Sequence, residues 1–378
     1  MLRSERANDA RQKRAGSFLL PLLRYTSNMQ PQANTPLAAY TSLAVGGPAE
    51  QLYVATTADE LHTLLAGLGD RQVWVLGYGA NALISDTGLP GAVIVTHGSV
   101  TVREGNLLVA DAGVWWDDLV QRALTEELWG LEMMSAIPGS VGAAVVGNIA
   151  AYGQAVADTL AWVEVFDRSV QEIRRLMAPE LGLSYRFSDF QTDKLHSLVI
   201  LRAAFQLSPE PAQDVVYQSA LDIAAELHHD LHTLDGCRQT VLETRARAGS
   251  LWDWQHPDTG GHTAGSFFRN PVVDAAAAER LMAFDETGKT TEIIRKMNQA
   301  HSGDAQRVSA AHVLLAAGFQ RGQTWGPVRL HPDHILKIEN TGGATAQQIY
   351  DVAQEIIRTV HEKLGITLTP EVRFLGEF

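Results

Sequence analysis

Gly77-Tyr78-Gly79-Ala80-Asn81-Ala82 follows the short apolar run Val73 to Leu76 in this 378-residue chain. Glycine at alternate positions lets successive backbone N–H groups converge into a nest, which can hold a pyrophosphate with help from the Asn81 amide. The same spacing equally suits a tight turn between two strands. A Rossmann-type dinucleotide loop is excluded. Such a loop opens directly into a helix, which Gly88, Pro90 and Gly91 forbid, and His97 stands where an acidic ribose ligand is needed.

A second tract, Ile137 to Gly153, has Gly139, Gly142, Gly147 and Gly153 interspersed with Ala143, Ala144, Ala150 and Ala151. With so few side chains, this main chain can lie against a flat surface. A planar cofactor ring, taking hydrogen bonds from main-chain N–H groups, fits that description, and so does the backbone of a neighbouring element. Pro138, Ser140, Asn148, Ile149 and Tyr152 lie in the same tract. Three further pieces hold isolated polar groups within apolar text: Ser184-Tyr185-Arg186, Ala264-Gly265-Ser266-Phe267-Phe268-Arg269-Asn270-Pro271, and Pro370-Glu371-Val372-Arg373-Phe374. Singly, each reads as an ordinary surface charge or loop hydroxyl. Together they supply a permanent cation, a hydroxyl and a carboxyl.

Other chemistries lack their residues. His228 and His232 are four apart on a predicted helix, but no His-Glu-x-x-His surrounds them and Leu227 and Leu231 mark an ordinary amphipathic face, so no metal site is expected. His331-Pro332-Asp333-His334 has no ligand spacing, and neither Gly-x-Ser-x-Gly nor a P-loop lysine occurs. A formal charge of −13 argues against a nucleic-acid partner. The lone Cys237 excludes an internal disulfide and fits a reducing, cytoplasmic location. No run approaches the roughly 18 apolar residues of a membrane span, so no membrane association is expected.

The elements that must position these groups alternate in type. Residues 1–30 form a basic leader around Arg3, Arg6, Arg11, Lys13, Arg14 and Arg24, expected to be a disordered extension or to precede a natural start at Met29. Thr57 and Glu60 cap a helix striped by Leu61, Leu64, Leu65 and Leu68, before the strands 73–76 and 92–95. Strands are predicted over 107–110, 162–166 and 198–205, with helices over 117–128 and over 221–243, the latter interrupted at Gly236. Beyond a boundary in Gly249 to Thr263 come helices over 274–284 and 309–317. A helix capped by Thr345 and Gln348 then runs to Gly365, followed by a closing strand over 366–375. The mixture is α+β.

In order and spacing, Leu76 to Ile84, Gly130 to Gly142, Asn148 to Gly153, Tyr185-Arg186, Ala264 to Pro271 and Pro370 to Phe374 resemble the UDP-N-acetylenolpyruvoylglucosamine reductase (MurB) family over about residues 34–378. The resemblance implies a two-subdomain FAD-binding fold of the vanillyl-alcohol-oxidase type plus a C-terminal α+β substrate domain. Residues 31–98, with 369–378 returning to them, form the first subdomain; residues 99–250 form the second and 251–368 the substrate domain. FAD then meets Gly77 to Ala82, Pro138, Gly139, Ser140, Gly142, Ala143, Asn148, Ile149 and Tyr152.

By the same resemblance, NADPH reduces FAD, which passes hydride to the enolpyruvyl group of UDP-N-acetylglucosamine enolpyruvate. Arg186, Ser266 and Glu371 fall on the family's catalytic positions, and Tyr185, Tyr217 and Asn270 on its substrate contacts. A monomer acting on a nucleotide sugar is expected. The alternatives are a divergent flavin oxidoreductase on another substrate, or a flavin or nucleotide-sugar binding protein without turnover. Three departures from the family pattern stand out. Ala80 replaces a serine of the glycine loop, and Ala310-Ala-His-Val-Leu replaces an Ala-Ala-Trp-Leu-Ile helix. Arg245 to Trp252 replaces the stretch that carries a diphosphate-binding lysine, with Arg247 the expected substitute.

Overall fold

The computed structural model describes residues 26–211, 215, 217–255, 261–284 and 307–378. Strands β1 (Asn28–Pro36), β2 (Pro48–Ala55) and β3 (Val73–Leu76) belong to one four-stranded sheet. Strand β4 (Ala82–Ile84) stands apart from it, and β5 (Leu89–Thr96) completes the sheet in the order β1-β2-β5-β3. Helix α1 (Ala58–Leu68) starts where its cap was predicted: the Thr57 hydroxyl accepts from Glu60 N–H at 3.1 Å, and Leu61, Leu64, Leu65 and Leu68 are buried. Residues 1–25 of the expected extension lie outside the described residues. Asn28 to Gln30, assigned to that extension, instead open β1. Its polar text and Pro31 concealed it, and both are tolerated because β1 is an edge strand.

The second layer is an antiparallel sheet in the order β11-β10-β12-β7-β6, built from β6 (Thr101–Glu104), β7 (Leu107–Asp111), β10 (Leu160–Asp167), β11 (Glu172–Met177) and β12 (Leu198–Gln206). The short β8 (Ala150–Ala151) and β9 (Gln154–Ala155) pair only with each other. Arg202 of β12 ties the layers together. Its guanidinium reaches Asp111, Asp59 and Glu164, while Asp111 also accepts from Ala58 N–H at the start of α1. Helix α2 (Trp116–Thr125) begins within a residue of its expected start and ends three residues early.

The glycine- and alanine-rich tract departs from the reading of it as bare main chain, because residues 141–147 form helix α3 (Val141–Gly147), followed by a single turn, α4 (Val156–Thr159). The small side chains let α3 approach the second sheet: a Cβ on Gly142 would stand 2.9 Å from that of Ala112. The helix expected across 221–243 is two, α5 (Gln218–Leu227) and α6 (Leu234–Arg247), separated by a left-handed His228 at φ 58° and a turn. Gly236 is not the break. It lies in the first turn of α6, where a Cβ would meet the Asp230 carbonyl at 2.0 Å.

In the third layer β13 (His262–Thr263), β14 (Thr324–Trp325), β15 (Val328–Leu330) and β16 (Ile338–Asn340) form an antiparallel sheet in the order β13-β16-β15-β14. Helices α7 (Ala275–Ala283), α8 (Ala310–Ala316) and α9 (Ala346–Leu364) accompany it, the last burying the stripe Ile349, Val352, Ala353, Ile356 and Val360. The Asp86 carboxylate accepts from Ala346 and Gln347 N–H, both at 2.9 Å, and so caps α9 from the first layer. Buried Lys337 caps α6 from the third layer by donating to the carbonyls of Ala248 and Gly249. The closing strand is shorter than expected. β17 (Arg373–Leu375) pairs in parallel with β4, and before it only Pro370 forms a bridge, antiparallel to Phe268 of the serine-bearing loop.

Candidate active site

One cleft of about 350 Å³ is walled by the glycine loop, by α3 and the residues leading into it, by β12, and by Arg186, Gln191, Arg269, Glu371 and Arg373. Of the expected cofactor contacts, Gly77, Tyr78, Gly79, Ala80, Asn81, Ala82, Pro138, Gly139, Ser140, Gly142, Ala143 and Ile149 line it. The glycines serve two needs. Gly79 has φ 61° and a Cβ there would meet the Tyr40 carbonyl at 2.0 Å, so the close turn alone requires it. Gly139 is different: at φ 137° it faces open cleft, with no atom within 4 Å of where a Cβ would stand. A wall of Gly and Ala around such space fits a flat ring, and the cations at its far end fit the anionic parts of a dinucleotide.

Two expected contacts lie outside the cleft lining. Asn148 does not line the cleft, because its amide is spent within the chain: Nδ2 donates to Ser184 O at 2.7 Å and Oδ1 accepts from Ala157 N–H at 3.0 Å. It is the left-handed cap of α3, holding that helix to the Ser184–Phe187 hairpin. Tyr152 also lies off the cleft, its ring edge-on to Tyr217 at 5.5 Å. Burial pushes the Tyr152 phenol up, and nearby Arg245 opposes the shift.

Arg186 and Glu371 stand at the polar end of the cleft, whereas Tyr185, Tyr217, Ser266 and Asn270 are not among its lining residues. Arg186 Nε lies 3.5 Å from Glu371 Oε1, both side chains about three-quarters buried. Arg186 adopts φ 52° in the tight bridge between Ser184 and Phe187. Glu371 N–H donates to Phe267 O at 2.8 Å, which brings the chain next to Ser266 against the chain that bears the acid. Neighbouring Tyr185 carries Arg307 over its ring at 4.0 Å, a cation–π contact. Asn270 Oδ1 accepts from Ala310 N–H at 2.9 Å at the start of α8, so part of its amide is structural.

Five residues given no role in the motif reading matter here: Arg269, Arg373 and Gln191 in the cleft lining, and Arg245 and Lys337 outside it. Arg269 and Arg373 line the cleft, and burial followed by repulsion from Arg269 pushes Arg373 down from its ordinary value. Arg373 follows Glu371 by two residues, the period that puts side chains on one strand face, and that signal was available. Gln191 had none. Arg245 and Lys337 form the other pair: burial is the main cause lowering each, and Lys337 is pushed to about 8, with Arg245 adding repulsion. Arg247, the expected diphosphate cation, instead points outward. It pairs with Glu226 at 2.8 Å and Glu243 at 2.7 Å, and Arg245 is the buried arginine of that stretch.

A cleft of small residues between two α+β layers, at whose polar end an arginine of the second layer meets a carboxylate on the chain returning to the first, marks an FAD-binding protein with a further C-terminal domain. Residues 49–175 match the model of the FAD binding domain family, and residues 256–375 that of the UDP-N-acetylenolpyruvoylglucosamine reductase C-terminal domain. The UDP-N-acetylenolpyruvoylglucosamine reductase of Salinispora arenicola is 35% identical, over 92% of this chain and 96% of its own. That of Thermobifida fusca is 34% identical, over 91% and 97%. The crystal structure of UDP-N-acetylenolpyruvylglucosamine reductase (MurB) from Thermus caldophilus superposes with a TM-score of 0.61 at 25% identity, covering 92% of this chain and 99% of that one. The chain belongs to the UDP-N-acetylenolpyruvoylglucosamine reductase family.

Proposed function

We propose that the chain reduces UDP-N-acetylglucosamine enolpyruvate to UDP-N-acetylmuramate, a step of peptidoglycan precursor synthesis, using NADPH and FAD. The observation that carries this reading is the approach of Arg186 and Glu371 to 3.5 Å at the polar end of the small-residue cleft. FAD, when bound, accepts hydride from NADPH and supplies it to the enolpyruvyl double bond. Gly77 to Ala80, Ala82 and Pro138 to Ala143 would hold the cofactor, chiefly through their main chain.

Everything else is the work of this chain's side chains. Arg186, permanently charged, forks onto the substrate carboxylate and stabilises the enolate-like charge that gathers there. Glu371 hydrogen-bonds the same group, and Ser266 gives its hydroxyl proton to the carbon beside the one that takes hydride, forming the second of the two new C–H bonds and regaining a proton from solvent, a role worth about 10² to 10⁴ in rate. Tyr185, Tyr217 and Asn270 contact the nucleotide sugar, and Arg245 and Lys337 supply positive potential toward its diphosphate in place of Arg247. The division into residues 31–98 with 369–378, 99–250 and 251–368 goes with these roles.

The protein acts as a cytoplasmic monomer with no nucleic-acid partner, and among the described residues no helix is long and apolar enough to cross a membrane. Purified protein tests the reading. A flavin spectrum, with NADPH consumed only once the enolpyruvyl sugar is added, is expected; NADPH oxidation indifferent to the sugar refutes it.

A further inference from the structure

Arg186 and Glu371 stand on segments far apart in the chain, and each is held by an amide side chain from outside the pair. Asn81 of the glycine loop grips the acid: its Nδ2 donates to Glu371 O at 3.1 Å, and its own carbonyl accepts from Arg373 N–H at 3.0 Å. Residues 371–373 are thereby pinned at both ends to the loop that lines the cofactor side of the cleft. The opposite edge of Glu371 is fixed by its N–H on Phe267 O.

Gln191 grips the base in the same manner. Its Nε2 donates to Val146 O of α3 at 2.7 Å and to Arg186 O at 3.2 Å, while its Oε1 accepts from Arg269 Nη2 at 3.0 Å. Arg186 needs such support, since its φ of 52° is a conformation that costs an L-residue on the order of 1 kcal/mol or more. Moreover, Arg186 Nε is buried and makes no hydrogen bond among the described residues beyond its ion pair with Glu371, so the main chain beneath it shares in setting its direction.

We propose that Asn81 and Gln191 are positioning residues: two amide clamps that set the Arg186–Glu371 geometry from the cofactor side, by fixing the main chain beneath each partner. The sequence motif assigns Asn81 to the cofactor pyrophosphate; its amide hydrogen is instead on the carbonyl of the acid. The inference rests on the roles proposed for Arg186 and Glu371. Hydride acceptance from NADPH draws little on that pair, whereas reduction of the enolpyruvyl group requires it. A clamp variant therefore slows the two half-reactions unequally.

The experiment uses flavin-loaded protein and follows the two half-reactions separately by flavin absorbance: reduction by NADPH, then reoxidation by saturating UDP-N-acetylglucosamine enolpyruvate, each across pH. Asn81→Ala and Gln191→Met are expected to keep wild-type flavin content. Reoxidation should fall at least tenfold more than reduction, up to the about 10²-fold that small misplacements of reacting groups cost. The pH profile of reoxidation should move in both variants. The double variant should be less impaired than the product of the single effects, because both act through one pair.

Gln191→Glu, which keeps the acceptor for Arg269 and loses both donors, should show the same split if Gln191→Met melts too low to assay. Loss of flavin from Asn81→Ala makes Asn81 a cofactor ligand and overturns the clamp. So does equal slowing of both half-reactions, or unchanged reoxidation with an unmoved pH profile. Wild-type protein that the sugar does not reoxidise overturns the proposed function itself, and that failure is seen before any variant is made.

Discussion

Replacing Gly77 with alanine should damage the cleft through one identifiable atom. A Cβ at residue 77 would stand 2.5 Å from Ser140 Oγ and 3.0 Å from Ser140 Cβ, while the next contact, Ser140 N, is an ordinary 3.7 Å. Ser140 Oγ is the N-cap of α3, accepting from Ala143 N–H at 3.2 Å. The new methyl group must displace it. Losing a serine cap costs about 1 kcal/mol, and an off-rotamer serine about 0.5–1.5 kcal/mol more. Gly→Ala at a permissive backbone returns about 0.4–1 kcal/mol through the unfolded chain. The net loss is about 1–2 kcal/mol, which at this size lowers the melting temperature by roughly 1–3 °C.

Ser140→Gly alone should cost only a few tenths of a kcal/mol, because glycine is itself an acceptable N-cap. The double variant removes both clashing atoms. It should melt close to wild type, giving a coupling of about 1–2 kcal/mol in a double-mutant cycle read by thermal melting and by bound flavin absorbance. Additive losses would refute the steric account, and would mean that Gly77 is required by something other than Ser140.

Gly79→Ala should be far worse than Gly77→Ala and should not respond to Ser140→Gly, since its clash at 2.0 Å is with the Tyr40 carbonyl and its φ of 61° is left-handed; expression and flavin content report this. Ser266→Ala should retain reduction of the flavin by NADPH while product formation falls about 10²-fold or more, measured by product analysis; unchanged turnover counts against the proton role. Arg247→Ala should leave binding of UDP-N-acetylmuramate within twofold of wild type by flavin absorbance titration, because Arg247 is engaged with Glu226 and Glu243.

Acid should weaken the fold through its buried histidines. Burial pushes His97 and His334 down to about 4, whereas the unfolded chain titrates near 6.5, so between those values the unfolded state binds more protons. Their contribution is complete above about pH 6.5 and is lost as pH falls toward 4. Thermal melts over that window should show the decline, and His334→Asn should make it shallower; an unchanged slope argues against the histidine.

The local elements were legible where local physics suffices. Thr57 with Glu60, and Thr345 with Gln348, announced α1 and α9 because a cap and a 3.6-residue stripe lie within one segment. The edge strand β1 and the helix α3 were not, since a polar edge strand lacks alternation, and Gly and Ala suit close packing in either conformation. Motif order placed Arg186 and Glu371 in one site. It could not show that the side chains of Asn148 and Arg247, whose types suit ligands, bond to Ser184 and Ala157, and to Glu226 and Glu243.

Residue type and order determined which chemistry this protein carries: an arginine, a carboxyl, a hydroxyl and a tract of small residues that admits a flat ring. Whether a given amide meets a ligand or the protein's own backbone was decided only by tertiary packing. Asn81, Gln191 and Asn148 are alike in covalent terms. A polar group removed from water bonds to whichever partner the fold brings within about 3 Å, and each of these amides has a partner distant along the chain: Glu371, Val146 and Ser184.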